Sequence, residues 1–302
     1  MKYFLILLTI IILSVFWVWF GIYIPKEPWS VETEIFLVKR GEGAREISFN
    51  LKSQGFIRYS SLFRIYALFK EKQRELKAGE YELGFSMNIP EIVEKMAEGE
   101  RIRKIITIIE GWAVKDIEQY LGESIDSSLE GYLFPDTYEI SPEADAKEIV
   151  EKMRENFEKK LTPELREKIE EQKKTIVQII TMASLLEKEV KTPEDKKIVS
   201  GILWKRIENN MPLQVDATIV YVTGRKSLEI TKEELKIDSP YNTYKYKGLP
   251  PGPICNPGIE SIKAAIYPEK SEYWFYLSTK EGKTIFSRNL KEHNEAKNKY
   301  LD

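Results

Sequence analysis

The residue whose type and position most suggest chemistry is Glu187, in segment 175–190, TIVQIITMASLLEKEV. Apolar and small residues recur there at three- and four-residue steps, the spacing of one face of an α-helix. Continuing that step from Ala183 reaches Glu187, so its carboxyl is expected on or beside the buried face. Because burial disfavours the ionised form, Glu187 is expected to keep its proton near neutral pH and to act as a proton donor. Cleavage of a glycosidic bond needs such a donor. The alternative is a solvated surface Glu, which is common in a chain with 31% charged residues.

A second candidate pair is Gln214 and Asp216, which lie two residues apart in the mostly apolar segment 211–218, MPLQVDAT. If this segment is extended, both side chains point to the same face. Such an amide and carboxylate can orient a substrate or stabilise positive charge that develops during a reaction. The alternative is that Gln214 satisfies buried backbone groups and that Asp216 caps a helix.

Two further segments are rich in aromatic and turn-forming residues. Segment 237–258, IDSPYNTYKYKGLPPGPICNPG, contains Asn242 and Tyr244, and its prolines and glycines exclude a regular helix or a central strand. A long loop of this kind in a compact domain is typically functional. Segment 129–138, LEGYLFPDTY, ends at Tyr138 and predicts a loop that either packs internally or offers rings to a sugar.

The elements that must position these residues are predicted to be helices mixed with short strands. The apolar runs 35–38 and 104–109 are typical of strands, and each leads into a glycine turn, at Gly41 and Gly111, and a short amphipathic helix. The two units match at an offset of 70 residues and form a weak internal repeat.

The C-terminal part adds a hairpin and a last helix. Segments 273–277 and 284–287 flank a turn and predict two antiparallel strands, and 289–301 predicts a terminal helix containing His293. Together with the charged helices between residues 144 and 174, these elements predict an α+β fold.

The N-terminus is a single apolar stretch. Residues 3–24 carry no charge and would extend about 33 Å as a helix, enough to span a bilayer. The run is too long for a typical signal peptide and has no clear cleavage site, so it predicts an uncleaved anchor. With only Lys2 before the span, the N-terminus is expected inside and the rest of the chain outside the cytoplasm.

Composition excludes several function classes. The formal net charge is −2, which argues against nucleic acid as a partner. One cysteine, Cys255, excludes an intramolecular disulfide, and one histidine, His293, excludes a His/Cys zinc cluster. No G-x-S-x-G motif is present, so serine hydrolase chemistry is disfavoured. No metal and no cofactor are expected, and no role is assigned to Cys255 or His293.

The motifs in this order and spacing resemble the YceG-like family, whose characterised members are MltG-type endolytic murein transglycosylases. The residues that carry the resemblance are EGYLFPDTY (130–138), ASLLEKEV (183–190), MPLQVDAT (211–218), YNTY (241–244), GLPPGPI (248–254), NPG (256–258) and NLKEHN (289–294). Two positions depart from the family pattern, namely Leu-Trp-Lys-Arg at 203–206 and Asp-Ala-Thr at 216–218.

The resemblance implies a domain plan. We expect a membrane anchor at 1–24, a linker at 25–34, a LysM-like α+β module at 35–100 and a mixed α+β catalytic domain at 101–302. The catalytic domain would lie on the outer side of the cytoplasmic membrane. Expected partners are peptidoglycan glycan strands, that membrane and the peptidoglycan synthases.

The resemblance also implies a reaction. Family members cut the MurNAc–GlcNAc β-1,4 bond without water, because the MurNAc 6-hydroxyl attacks its own anomeric carbon and leaves a 1,6-anhydro ring. One carboxyl can then serve first as acid and then as base, and Glu187 occupies the position of the family's catalytic Glu. The expected substrate-binding residues are Gln214, Asp216, Asn242, Tyr244 and Tyr138.

Two other functions remain open from the sequence. One is a membrane-anchored scaffold that binds peptidoglycan without cutting it, in which Glu187 is a structural acid. The other is ordinary hydrolysis, in which Asp216 supplies the second carboxylate that a glycosidase needs.

Overall fold

The computed structural model describes residues 2–99, 102–142, 144–225, 230–279 and 281–301. The fold is α+β, as predicted, and the chain divides into two compact units, 1–105 with 139–143 and 106–138 with 144–302. The helices are α1 (Lys2–Tyr23), α2 (Ala44–Ser53), α3 (Ser60–Phe69), α4 (Ile89–Glu98), α5 (Val114–Leu121), α6 (Ala146–Lys160), α7 (Pro163–Glu171), α8 (Ile176–Glu189), α9 (Pro193–Glu208), α10 (Asp216–Thr223), α11 (Ile259–Ile266) and α12 (Leu290–Tyr300). The strands are β1 (Thr33–Val38), β2 (Gly79–Gly84), β3 (Lys104–Thr107), β4 (Thr137–Ile140), β5 (Phe275–Ser278) and β6 (Thr284–Ser287).

The first unit begins with the apolar helix α1. Its 22 residues are long and apolar enough to cross a membrane, which is consistent with the predicted anchor. The end of α1 packs on α3, where the Trp17 and Tyr59 rings have centroids 4.9 Å apart.

The rest of the first unit follows the order β1–α2–α3–β2–α4. Strands β1 and β2 pair antiparallel, from Thr33 opposite Gly84 to Val38 opposite Gly79. Large side chains of the strands and helices, including fully buried Phe36 and Tyr81, form one hydrophobic core.

The core of the second unit is organised around α8. This helix begins with a capping box, in which Thr175 and Gln178 accept hydrogen bonds from each other's backbone amides. Residues 179–186 of α8 are all buried. Helices α7, α9, α10 and α11 pack around it, so the end of α8 is held by tertiary contacts on several sides.

Segment 237–258 contains no helix or strand, as its prolines and glycines predict. Its last part is buried and is fastened to α8: the Ile254 amide donates to Ser184 Oγ at 3.0 Å, and the Cys255 thiol lies 3.4 Å from the Ser184 carbonyl oxygen. The predicted hairpin is confirmed as the antiparallel pair β5–β6, and the predicted terminal helix as α12.

The predicted strand–turn–helix repeat is also confirmed. β1 leads through Gly41 into α2, and β3 leads through Gly111 into α5. Both glycines are left-handed, with φ of +90° and +82°, a conformation that side chains disfavour. The second turn carries residues 110–114 to the end of α8.

We predict that Gly201→Ala destabilises the protein, although alanine favours a helix interior by about 1 kcal/mol. A Cβ atom at Gly201 in α9 would lie 1.9 Å from the carbonyl oxygen of Glu269, a backbone atom that cannot move alone. We expect a loss of roughly 1–3 kcal/mol of unfolding free energy, measured by chemical denaturation.

The control is Lys197→Ala, an exposed position in the same helix, which should change stability by no more than about 0.5 kcal/mol. A Gly201→Ala variant as stable as this control would contradict the close approach of α9 to Glu269.

Candidate active site

The end of α8 brings Glu187 to three hydrogen-bond donors from other segments. The Lys196 ammonium donates to Oε1 at 3.1 Å, and Oε2 accepts from the Gly258 amide at 2.9 Å and the Ser261 hydroxyl at 2.6 Å. Only 9% of the Glu187 side chain and 6% of the Lys196 side chain are exposed. Lys196 comes from the first turns of α9, whereas Gly258 and Ser261 flank the start of α11.

The burial predicted for Glu187 is confirmed, but the prediction of apolar surroundings is wrong. Its carboxyl instead lies among one ammonium and two neutral hydrogen-bond donors. Periodicity within α8 could not reveal these donors, because they belong to other helices.

A second carboxyl, that of Glu110, lies against the same turn. A Cβ atom built on Gly258 would be 1.9 Å from Glu110 Oε1, so the carboxyl covers the Gly258 backbone. The pKa of Glu110 is raised, first by partial burial and then by the negative charge of Glu187, while Lys196 opposes the shift. Residue 110 is exposed, so its carboxyl is accessible from solvent.

The Glu110 turn and the 256–258 turn are locked to each other by Asn256. The Gly111 amide donates to the Asn256 carbonyl at 2.9 Å, and the Asn256 amide donates to the Trp112 carbonyl at 2.8 Å. Asn256 Oδ1 also accepts from the Leu133 amide at 2.9 Å. The side chain of fully buried Asn256 adds a third bond between the turns, because its Nδ2 donates to the Trp112 carbonyl at 3.0 Å. Asn256 therefore fixes the two turns that carry the site through both its backbone and its side chain.

The buried carboxyl of Glu130 stabilises the start of α5, which follows the Glu110 turn. Its carboxyl accepts from the Val114 amide at 3.1 Å and 3.2 Å, at the start of α5. Burial raises the pKa of Glu130 to about 7, with a smaller contribution from the negative charge of Asp116.

The neighbouring acid on α8, Glu189, belongs to a different cluster. Its carboxyl accepts from the Tyr276 hydroxyl at 2.9 Å, and burial raises its pKa to about 7, helped by the charge of Asp216. The buried guanidinium of Arg206 opposes this shift and donates to the Leu213 carbonyl at 2.7 Å.

Gln214 and Asp216 are placed at this second cluster, and both are exposed. The segment is not extended at these residues: Asp216 begins α10, and Gln214 has a left-handed φ of +54°. This conformation is held because the Gln214 amide donates to the Thr243 carbonyl at 3.1 Å. The Tyr244 hydroxyl donates to Asp216 Oδ1, so these two predicted residues are in contact.

Asn242 and Tyr138 are placed inside the fold. Asn242 is fully buried, and its Nδ2 donates to the carbonyls of Leu235 and Ile237 at 3.0 Å and 2.9 Å. Tyr138 is 8% exposed and donates its hydroxyl to the Phe134 carbonyl. The polar atoms of both side chains are therefore already engaged in hydrogen bonds within the protein.

Four polar residues near these clusters were missed by the sequence reasoning: Glu110, Lys196, Ser261 and Arg206. The position of Ser261, three residues after Gly258 at a helix start, was an available local signal. Within the described ranges, no group of three or more His, Cys, Asp or Glu side chains is placed to hold a metal ion. His293 stacks on Phe275 with centroids 5.2 Å apart, and burial raises the pKa of the Cys255 thiol.

This arrangement, a buried carboxylate held by an ammonium beside an accessible acid, is typical of enzymes that use carboxyl groups for acid–base chemistry. The YceG-like family model matches residues 36–299. The chain therefore belongs to the YceG-like family.

Named relatives and a solved structure agree with this membership. An "endolytic murein transglycosylase" of Bacillus subtilis is 30% identical over 92% of this chain and 87% of its own length. One of the same name from Streptococcus pneumoniae D39 is 28% identical over 85% of this chain, which spans 56% of that relative. A crystal structure of a YceG-like protein from Listeria monocytogenes is 33% identical, with a TM-score of 0.59 over 88% of this chain and 99% of that one.

We predict that Glu130→Gln changes how stability depends on pH. Between pH 4.5 and about 7 the unfolded chain ionises at residue 130 while the folded protein keeps its proton, so this group makes stability fall as pH rises. In the variant, this decrease in unfolding free energy, on the order of 1–3 kcal/mol between pH 5 and pH 8, should be absent. Denaturant unfolding of both proteins at the two pH values measures the difference.

Glu189 has a similarly raised pKa and remains in both proteins, so its contribution cancels in the difference. A wild-type-minus-variant difference that is the same at both pH values would contradict a raised pKa at Glu130.

Proposed function

We propose that this chain is a membrane-anchored endolytic murein transglycosylase that cuts the MurNAc–GlcNAc β-1,4 bond within nascent glycan strands. Family membership and the names of the relatives support the activity. The observation that carries the proposal is Glu187, a buried carboxylate at the end of α8 that is fixed by three donors from other segments.

The reaction requires one proton transfer to the leaving group and one from the attacking group. The C1–O4 bond breaks with its electron pair going to O4 of GlcNAc, which takes up a proton. The MurNAc O6 forms a bond to C1, closes the 1,6-anhydro ring and loses its proton. No water is consumed, so one catalytic carboxyl can donate a proton to O4 in the first half of the reaction and accept the proton of O6 in the second half.

We assign the catalytic carboxyl to Glu187. The Glu187 carboxyl would donate its proton to the leaving O4 of GlcNAc. The resulting carboxylate would stabilise the positive charge that develops at C1 and would then accept the proton of the 6-hydroxyl. Lys196 and Ser261 position this carboxyl, and Lys196 also balances its charge.

We propose that Gln214, Asp216 and Tyr244 form the substrate-binding wall beside it. All three are accessible at least in part, and the strained φ of Gln214 is typical of functional sites. The same roles were expected of Asn242 and Tyr138, but their polar atoms are already bonded within the fold, so we propose that they shape the wall without touching sugar.

The remaining parts of the proposal concern location. We propose that α1 anchors the protein in the cytoplasmic membrane, that residues 101–302 form the catalytic domain on the outer side, and that residues 35–100 form a LysM-like module. The β1–α2–α3–β2 order of that module supports the likeness. Tethering would restrict cutting to strands near the synthases and would therefore end glycan elongation.

We predict that Glu187→Gln lowers the rate of glycan cleavage roughly 10²- to 10⁴-fold, the usual contribution of acid–base catalysis. Purified full-length protein in detergent is incubated with uncrosslinked glycan strands, and the new ends are analysed by mass spectrometry. The wild type should produce 1,6-anhydro ends, which are lighter than hydrolytic ends by one water.

The matched control is Glu194→Gln, an exposed carboxyl at the start of α9, which should retain activity. Thermal unfolding of both variants checks the fold, because Glu187→Gln leaves Lys196 buried without its charge partner. Anhydro product at the wild-type rate in Glu187→Gln would remove Glu187 from the role. Reducing ends from the wild type would indicate a hydrolase, and binding without cutting would indicate a scaffold.

We predict that Asp216→Asn and Tyr244→Phe raise KM for glycan strands roughly 2- to 10-fold, as expected for the loss of one hydrogen bond, with a smaller change in kcat. The control is Asp238→Asn, which breaks a similar Tyr–Asp contact, from Tyr246, elsewhere in the same loop. If Asp216→Asn lowers kcat as strongly as Glu187→Gln and leaves KM unchanged, Asp216 is a catalytic group and this wall is assigned wrongly.

A further inference from the structure

Helix α3 carries apolar side chains on two faces. One face, which includes Leu62 and Tyr66, is buried in the core of the first unit. On the other face Ile65, Leu68 and Phe69 are exposed by 54%, 57% and 79%. Because Leu68 and Phe69 follow Ile65 by three and four residues, these three side chains lie together on the helix surface. They are called here the α3 outer face.

The α3 outer face is not interrupted by acidic groups. Helix α3 contains one charged residue, Arg64, and no Asp or Glu. On the outer face of the β1–β2 sheet, by contrast, exposed Ile35 lies directly opposite Glu82. Carboxylates suit a surface that stays in water. Large apolar side chains with a cation beside them suit the boundary of a bilayer, where an Arg side chain reaches the lipid phosphates.

The α3 outer face continues from the contact between α3 and α1. A Cβ atom on Gly21 in α1 would lie 2.4 Å from Leu62 Cδ1, and the Tyr23 and Tyr66 rings have centroids 6.4 Å apart. Each of these two α3 residues precedes a member of the α3 outer face by three positions, so the members are neighbours on the helix surface. The α3 outer face and α1 therefore form one continuous apolar surface.

The length of α1 determines where this surface meets a bilayer. Residues 3–16 would extend only about 21 Å, whereas the hydrocarbon core of a bilayer is about 30 Å thick. Residues 17–23 are therefore needed to complete the span, and α3 with its N-cap Tyr59 packs on this part of α1. The same seven residues include two tryptophans and a tyrosine, which are typical of the boundary between hydrocarbon and headgroups. Helix α3 consequently lies at that boundary.

We propose that the α3 outer face is a membrane-binding surface, which seats the module of residues 35–100 on the bilayer beside α1. This inference rests on the proposed anchoring by α1 and adds a second contact with lipid. Transfer of the three exposed side chains from water into the bilayer boundary is favourable. Because the module then meets the bilayer at both α1 and α3, its orientation to the membrane is fixed.

The test places an NBD fluorophore, on one cysteine at a time, in full-length protein in vesicles of phosphatidylcholine and phosphatidylglycerol. Ile65→Cys and Phe69→Cys carry it on the α3 outer face, and Leu13→Cys carries it within α1. Cys255 is fully buried and should not react, which labelling of the wild type checks. Two signals are recorded. The emission shifts to the blue in any apolar environment, whereas quenching by a nitroxide on the lipid acyl chain requires contact with lipid.

The matched control is Ile35→Cys. Ile35 is 61% exposed, much like Ile65. Because neighbouring side chains in a strand point to opposite faces, and Phe36 is buried in the core that α3 helps to form, Ile35 points away from that core. All four substitutions are at exposed positions, and thermal unfolding of each labelled protein checks the fold.

We expect a blue shift and nitroxide quenching of at least about 2-fold at Leu13, Ile65 and Phe69, because an interfacial helix lies about 5–10 Å into the headgroup–acyl boundary. The label at Ile35 should show neither signal.

The other outcomes separate this inference from the proposed anchor. Quenching at Leu13 without quenching at Ile65 and Phe69 leaves the anchor intact and overturns the membrane-binding surface. A blue shift at Ile65 and Phe69 without quenching also overturns it, since a second copy of the protein would then cover the α3 outer face. Equal quenching at Ile35 overturns seating through α3 in favour of general adsorption. The absence of quenching at Leu13 overturns the anchor itself, and this inference falls with it.

Discussion

The buried ion pair between Glu187 and Lys196 is the interaction on which the candidate site depends. It joins the end of α8 to the start of α9, and the Gly258 amide and Ser261 hydroxyl join the same carboxylate to α11. Taking two charges out of water is costly unless further hydrogen bonds satisfy them. The three helices must therefore pack in this one arrangement for the charges to be tolerated, so the hydrophobic core and the site are stabilised together.

The same helix end places two acids in different environments. Glu187 meets an ammonium and neutral donors, whereas Glu189, two residues later, meets a tyrosine hydroxyl and the nearby charge of Asp216. Glu110 adds a third environment, exposed and without a partner in the described ranges. Carboxyl groups whose surroundings differ in this way can take different protonation states at one pH, which is how enzymes obtain an acid and a base from the same type of side chain.

Local physical rules in the sequence determined much of the fold. The apolar periodicity of segment 175–190 predicted α8, and the uncharged run 3–24 predicted α1. Proline and glycine content predicted that segment 237–258 is irregular, and two short aromatic and apolar segments around a turn predicted the β5–β6 hairpin. These predictions succeed because each depends only on residues that are close together in the sequence. The same periodicity singled out Glu187 and its burial.

The tertiary structure alone decided what surrounds that carboxyl. Ser261 is 74 residues away in the chain, and Glu110 reaches the site only because Asn256 ties its turn to Gly258. Likewise, the Thr243 carbonyl holds Gln214 in a left-handed conformation that no local pattern predicts. Periodicity shows which side of a helix is buried, but the charge and hydrogen-bonding capacity of the groups that bury it come from distant segments. The site was therefore expected to be apolar and is polar.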